Sequence, residues 1–236
     1  MSHRAVLFVW LVLPYVSLTV FAVGHWWRYE RDQFGWTSRS SQLLESRLLA
    51  WGSTMFHYGA LAVILGHIAG VLVPASATRA LGVSERNYHH LAGIGGGIAG
   101  LICLAGFGIL AFRRTKIRRI RVTTSLADVV VFFLLGALIL LGDGVTFGYN
   151  VFGSGYDYRA SVGPWFRRLW YDPHPSLMAN APVAYQLHAA IPWLLYVVWP
   201  FSRLVHTWSY PLQYLGRPYI LYRNRHPLPR RAGAPS

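Results

Sequence analysis

Four histidines stand in apolar surroundings: His57 and His67, ten residues apart, and His188 and His206, eighteen apart. A lone histidine in such a place can be a hydrogen-bonded packing residue. Two on each of two segments, with no other strongly ionisable group beside them, are harder to explain by packing. Neutral imidazole is a metal ligand, and an ionisable side chain inside an apolar span is a functional candidate by default. Zinc and non-haem iron want three or four ligands at one level. Two distant pairs instead suit axial ligation of a macrocycle, which takes two ligands per iron. Of the other six histidines, His3, His25, His174 and His226 lie at termini or in connections, where solvent exposure accounts for them. His89 and His90 sit together at the edge of an apolar run.

The elements that must position these residues are read from hydropathy. Five apolar segments recur: Ala5 to Val23, about Leu48 to Val73, Tyr88 to Phe112, Thr124 to Phe147, and Ala181 to Phe201. Each reaches or approaches the ~20 residues needed to cross ~30 Å of hydrocarbon. Inside a bilayer each must satisfy its own backbone, so helix is the expected state. The first segment has Arg4 before it and 19 apolar residues, longer than a typical signal-peptide core; Gly24, His25, Trp26, Trp27 and Arg28 follow without a cleavage site, so it reads as a retained helix. The expected fold class is all-α: an integral membrane bundle of five transmembrane helices over residues 1–206, then a cytoplasmic tail over 207–236.

In such a bundle the second and fifth helices run in opposite directions. His67 then falls level with His188, and His57 with His206. The match is uneven, because ten residues rise about 15 Å and eighteen about 27 Å on ideal helices. Pro192 and Pro200 break the hydrogen-bond ladder of the fifth segment and could bend it. Orientation follows from charge. Arg4, Arg79, Arg86, Arg159, Arg167 and Arg168 lie on one side, and the other sixteen of the 22 Lys and Arg on the opposite side. The positive-inside rule puts the N-terminus outside and the C-terminus in the cytoplasm.

Composition agrees with a membrane protein: 54% apolar, 15% aromatic and 13% charged residues, where soluble domains carry about a quarter charged. The net charge of +14 invites a nucleic-acid reading. The charges sit in short connections between apolar runs, which argues against that partner. The lone Cys103 excludes an intrachain disulfide and a four-cysteine cluster, so any iron–sulfur relay belongs to a partner. Asp128 and Asp143, near opposite ends of the fourth segment, read as solvated or capping ends rather than a proton path. Gly59, Gly66, Gly70, Gly93, Gly95, Gly96, Gly97 and Gly100 allow close approach of a macrocycle or of another helix.

At these residues the sequence resembles the gamma subunit of respiratory nitrate reductases. The resemblance covers most of the chain and is densest in "WWRYERDQFGWTSRSSQLLE" (Trp26 to Glu45), "MFHYGALAVILGHIAG" (Met55 to Gly70), "YQLHAAIPWLL" (Tyr185 to Leu195) and "PFSRLVHTWSYPLQYLGRPY" (Pro200 to Tyr219). It implies a multi-pass anchor in the plasma membrane of a prokaryote, holding two b haems. The inner haem would be ligated by His57 and His206, the outer by His67 and His188. Quinol, with menaquinol the expected type, would be oxidised near the outer haem. Electrons would pass inward to an iron–sulfur beta subunit and a molybdenum alpha subunit, where nitrate is reduced.

Family members can carry a lysine at the outer end of the third helix, near the quinol site. The matching stretch "SERNYHHLAG" (Ser84 to Gly93) has none, and His90 falls there with His89 beside it. Either imidazole could hydrogen-bond a quinol oxygen or take its proton, or be an exposed pair at the membrane edge. Gly66 and His67 complete the pocket by resemblance. Two other functions stay open: an anchor serving a sulfite- or heterodisulfide-type reductase, and a histidine-lined metal transporter, for which the second and fifth segments offer little polar path. The basic surface would meet an acidic partner or anionic lipid headgroups.

Overall fold

A computed structural model describes residues 2–38, 40–153 and 155–208, and every regular element among them is helical. The expected tail therefore lies, beyond Trp208, outside the described residues. Four helices are long and apolar enough to cross a membrane: α1 (His3–Arg31), α2 (Arg47–Leu72), α3 (Glu85–Lys116) and α4 (Leu126–Val151). Even the shortest, at 26 residues, rises about 39 Å, more than the hydrocarbon requires. Their ends are chemically marked. The Ser84 hydroxyl accepts from the Asn87 N–H at the start of α3. Ser125 and Asp128 form a reciprocal capping box at the start of α4.

The fifth segment differs from the single span expected. Helix α5 (Val183–Val198) has 16 residues, about 24 Å of rise. It gives way to a 3-10 turn over Trp199–Phe201, an extended Ser202 and a second 3-10 helix over Arg203–Thr207. Pro200 explains the break, since it has no N–H to donate and its ring would press on the preceding turn. The freed carbonyls are not left bare. Arg28, buried at the far end of α1, donates to Pro200 O at 2.6 Å and Ser202 O at 2.9 Å, and also to Gly35 O at 2.8 Å. Trp199 Nε1 reaches forward to Leu204 O at 3.0 Å, fastening the two 3-10 turns together.

Helices α2 and α3 pack backbone to backbone. A Cβ added at Gly59 would sit 2.5 Å from Cys103 N, and one at Gly106 would sit 2.3 Å from Phe56 N. Small residues permit this approach where lipid offers no hydrophobic drive for association. Helix α5 lies against α4 and α1. The interior core is small and aromatic, built from Trp10, Trp165, Met178, Tyr185 and Trp193. Many large apolar side chains face outward instead, among them Leu91, Ile98, Leu126 and Phe133. Contiguous outward apolar surface on this scale marks a membrane-facing protein.

Asp128 departs from the expected solvated end. It does cap α4, but it is only 6% exposed and pairs with Arg203 at 2.6 Å and Arg114 at 3.4 Å. Asp143 lies against Gly100, with one carboxylate oxygen buried and without a hydrogen-bond partner.

Candidate functional site

The structure brings the four apolar-segment histidines together in two pairs. His57 on α2 faces His206 on the last 3-10 helix, with ring centroids 6.0 Å apart. His67, further along α2, faces His188 on α5 at 5.8 Å. The rise mismatch of the ideal-helix reading disappears because His206 is not on α5. The chain leaves α-helical geometry at Trp199 and turns at Ser202 before reaching it.

The ring nitrogens are differentiated by the backbone. A carbonyl can only accept, so Nδ1 must be the donor where it meets one. His57 Nδ1 donates to Ser53 O at 2.7 Å, His67 Nδ1 to Val63 O at 2.8 Å, and His206 Nδ1 to Arg203 O at 2.6 Å. This fixes the Nδ1–H tautomer and leaves Nε2 as the nitrogen with a lone pair for a metal. His25 makes the same bond to Phe21 O, but its ring packs among Phe21, Trp36 and Trp208, with no facing histidine among the described residues. His188 is the exception among the four. Its Nδ1 is buried without a partner of good geometry, although the backbone at Leu138 lies toward it. Gly142 admits the ring, since a Cβ there would come within 2.9 Å of His188 Cε1.

These pairs fit a bis-imidazole iron. A metal–imidazole bond of about 2 Å on each side, plus roughly an ångström from nitrogen to ring centre, separates the centroids by about 6 Å. Both observed separations match. His57 and His67 are exposed on α2, and a Cβ added at Gly66 would meet nothing within 4 Å. Among the described residues, no three His, Cys, Asp or Glu side chains converge on one point.

The other predicted site residues fall elsewhere. His89 and His90, near the start of α3, line an open cleft of about 700 Å³ with Arg86, Asn150, Tyr156 and Asp157. Gly66 and His67 do not line it. The connection runs through tyrosine: the His89 ring lies 5.9 Å from that of Tyr158, and the Tyr158 and Tyr88 hydroxyls sit beside Gly70, three residues past His67. Burial, reinforced by the neighbouring Tyr88 hydroxyl, pushes the Tyr158 phenol above its ordinary range, keeping it a neutral donor. Arg159 packs 3.9 Å over the Tyr88 ring and pairs with Glu85 at 3.2 Å, closing that end. Sequence reasoning missed Tyr158 and Arg159, which sit in a connection and carry no spacing signal.

The profile of the family described as "Nitrate reductase gamma subunit" matches residues 6–225. The chain belongs to this family. It is 46% identical over 219 residues to the nitrate reductase gamma chain of Bacillus subtilis, covering 92% of this chain and 97% of that one. It is 32% identical over 226 residues to the respiratory nitrate reductase 1 gamma chain of Escherichia coli, covering 93% and 98%. It is also 49% identical over 230 residues to the nitrate reductase-like protein NarX of Mycobacterium tuberculosis. There the match takes in 95% of this chain and 35% of the relative, so the chain spans about a third of that protein. Membership of the gamma subunit family agrees with the four helices long and apolar enough to cross a membrane.

Proposed function

We propose that the chain is the quinol-oxidising, dihaem anchor of a respiratory nitrate reductase in a prokaryotic plasma membrane. The observation that carries this reading is the pair of facing histidines at each of two levels, 6.0 and 5.8 Å between centroids. His57 and His206 hold the inner haem, His67 and His188 the outer. Helix α5 with its 3-10 extension forms a fifth crossing, and the lopsided placement of Lys and Arg supports an outside N-terminus and a cytoplasmic C-terminus. When bound, the two b haems supply one-electron centres at two depths of the membrane.

The chain's own residues do the rest. Nδ1 bonds to the backbone orient the His57, His67 and His206 ligands. His90 and His89 offer a donor or acceptor to a quinol, expected to be a menaquinol, at the cleft. Gly66 leaves the approach to His67 open. The basic cytoplasmic connections face an iron–sulfur beta subunit, behind which a molybdenum alpha subunit reduces nitrate, and they also meet anionic lipid. No nucleic-acid partner is part of this reading.

The deciding experiment is a haem count with a reduced-minus-oxidised visible spectrum of the purified complex. Two b haems per copy of this chain, with sharp alpha bands on dithionite reduction, are expected. A colourless chain, or one haem per copy, would overturn the reading. A second measurement addresses the cleft. His90→Ala is expected to slow haem reduction by a menaquinol analogue about ten-fold or more, given the ~10² to 10⁴ typical of a positioned proton acceptor. Haem content should not change. Wild-type rates in both His90→Ala and His89→Ala would move the quinol site away from the cleft.

A further inference from the structure

His206 lies beyond the end of α5, on a 3-10 helix of five residues. Such a segment has poor hydrogen-bond geometry of its own and needs outside support to hold a ligand in place. Its first residue, Arg203, connects it to the rest of the protein. Arg203 Nε donates to Asp128 Oδ1 at 2.6 Å and its Nη2 to Asp128 Oδ2 at 2.8 Å, a two-pronged charge-assisted pair. The same Nη2 reaches Thr123 O at 3.2 Å. The main chain of Arg203 supplies the carbonyl that receives the His206 Nδ1–H. One residue thus joins a buried carboxylate, through its side chain, to the histidine ring, through its backbone.

The carboxylate end is firmly held. Asp128 Oδ2 also accepts from the Ser125 N–H at 2.9 Å, and the Asp128 N–H donates to Ser125 Oγ at 3.2 Å. Arg114, at the end of α3, approaches Oδ2 at 3.4 Å and donates to Thr124 Oγ1 at 3.2 Å. The ends of α3 and α4 and the 3-10 helix therefore converge on one side chain that is 5% exposed.

We propose that Asp128 is a positioning residue for the inner-haem ligand His206, acting through Arg203. This rests on the two-haem reading above. A metal-bound histidine is oriented by what its second nitrogen bonds to, and loss of such outer contacts typically weakens binding ~10- to 100-fold. Asp128 lies one step further out and fixes the residue that makes that contact. An ordinary helix cap would account for the Ser125 bonds alone. It would not account for the pairing with Arg203.

The test uses the whole complex in detergent, with the outer haem as internal control. Asp128→Asn keeps a capping oxygen but loses the charge and the two-pronged grip. Arg203→Lys keeps the charge but loses the fork. Each is expected to shift the low-spin EPR signal and midpoint potential of the inner haem and to weaken its retention about ten-fold or more. The outer haem should keep its wild-type signal and potential, and Asp128→Glu should restore part of the inner-haem signal. Should Asp128→Asn fail to accumulate, Arg203→Lys decides alone. A wild-type inner haem in Arg203→Lys, or equal damage to both haems, would overturn the proposal. A wild-type complex with fewer than two haems would overturn both this proposal and the reading beneath it.

Discussion

Replacing His206 by alanine is expected to remove one haem per complex and leave the other in place, and His57→Ala should do the same. Each change would delete one of the two axial ligands of a proposed haem. The other pair is untouched because ten residues of α2, about 15 Å of rise, separate His57 from His67. Conversely, His67→Ala or His188→Ala should remove the second haem and spare the first. The phenotypes then differ in direction. Without the inner haem, quinol should still reduce the outer one while nitrate reduction stops. Without the outer haem, quinol-dependent reduction itself should be lost. A pyridine haemochrome titration with a quinol-reduced spectrum of each variant checks both statements. Loss of both haems from any one of these changes would show that the pairs are not independent.

Gly106→Ala and Gly59→Ala are expected to be the most damaging single methyl additions to the bundle. At Gly106 the new carbon would lie 2.3 Å from Phe56 N, 2.8 Å from its Cα and 2.9 Å from Gly52 O. At Gly59 it would meet Cys103 N at 2.5 Å and Cα at 2.7 Å. These obstacles are backbone, which has no rotamer to yield, so α2 and α3 must part along the contact. Overpacking ordinarily costs ~1–3 kcal/mol, and a backbone clash should fall at or above the top of that range. Both haems should suffer together, since His57 and His67 ride on the displaced helix. Gly95→Ala is the control, because nothing lies within 4 Å of its added carbon. Thermal loss of the haem spectrum at matched protein concentrations provides the comparison. Equal midpoints for Gly95→Ala and Gly106→Ala would refute the close contact.

The legible parts of the molecule were those governed by periodicity and composition. The first four spans follow from runs of apolar residues, and the helix ends fall within a few residues of those expected, except that α1 runs on to Arg31. The histidine pairing follows from counting along antiparallel helices. The count left about 12 Å of rise unaccounted for, because an ideal-helix ruler cannot register a chain that turns. Pro200 signalled a break but not its direction, which depends on Arg28 reaching from α1 to Pro200 O and Ser202 O. Asp128 was readable as a cap from Ser125 three residues earlier, whereas its pairing with Arg203 joins residues 75 apart. His89 and His90 do share one cleft, but Gly66 and His67 are not part of it. Its separation from Gly66 and His67 reflects Tyr88 and Tyr158, whose packing no local pattern encodes.

Helix α2 has one more property that matters to its role. From Arg47 to His67 it is uninterrupted α-helix, and its π-helical turn begins only at Ile68. The local irregularity thus falls just outside the stretch between His57 and His67. Tunnelling rates fall steeply with the gap between donor and acceptor. In the proposed dihaem arrangement, the levels of His57 and His67 would be held apart by one continuous stretch of α-helix, packed closely against α3 at Gly59 and Gly106. Tilt of the bundle or thinning of the bilayer would then move the two proposed centres together. In the proposed arrangement, the α2 share of their spacing would then be set by the helix itself rather than by the connections.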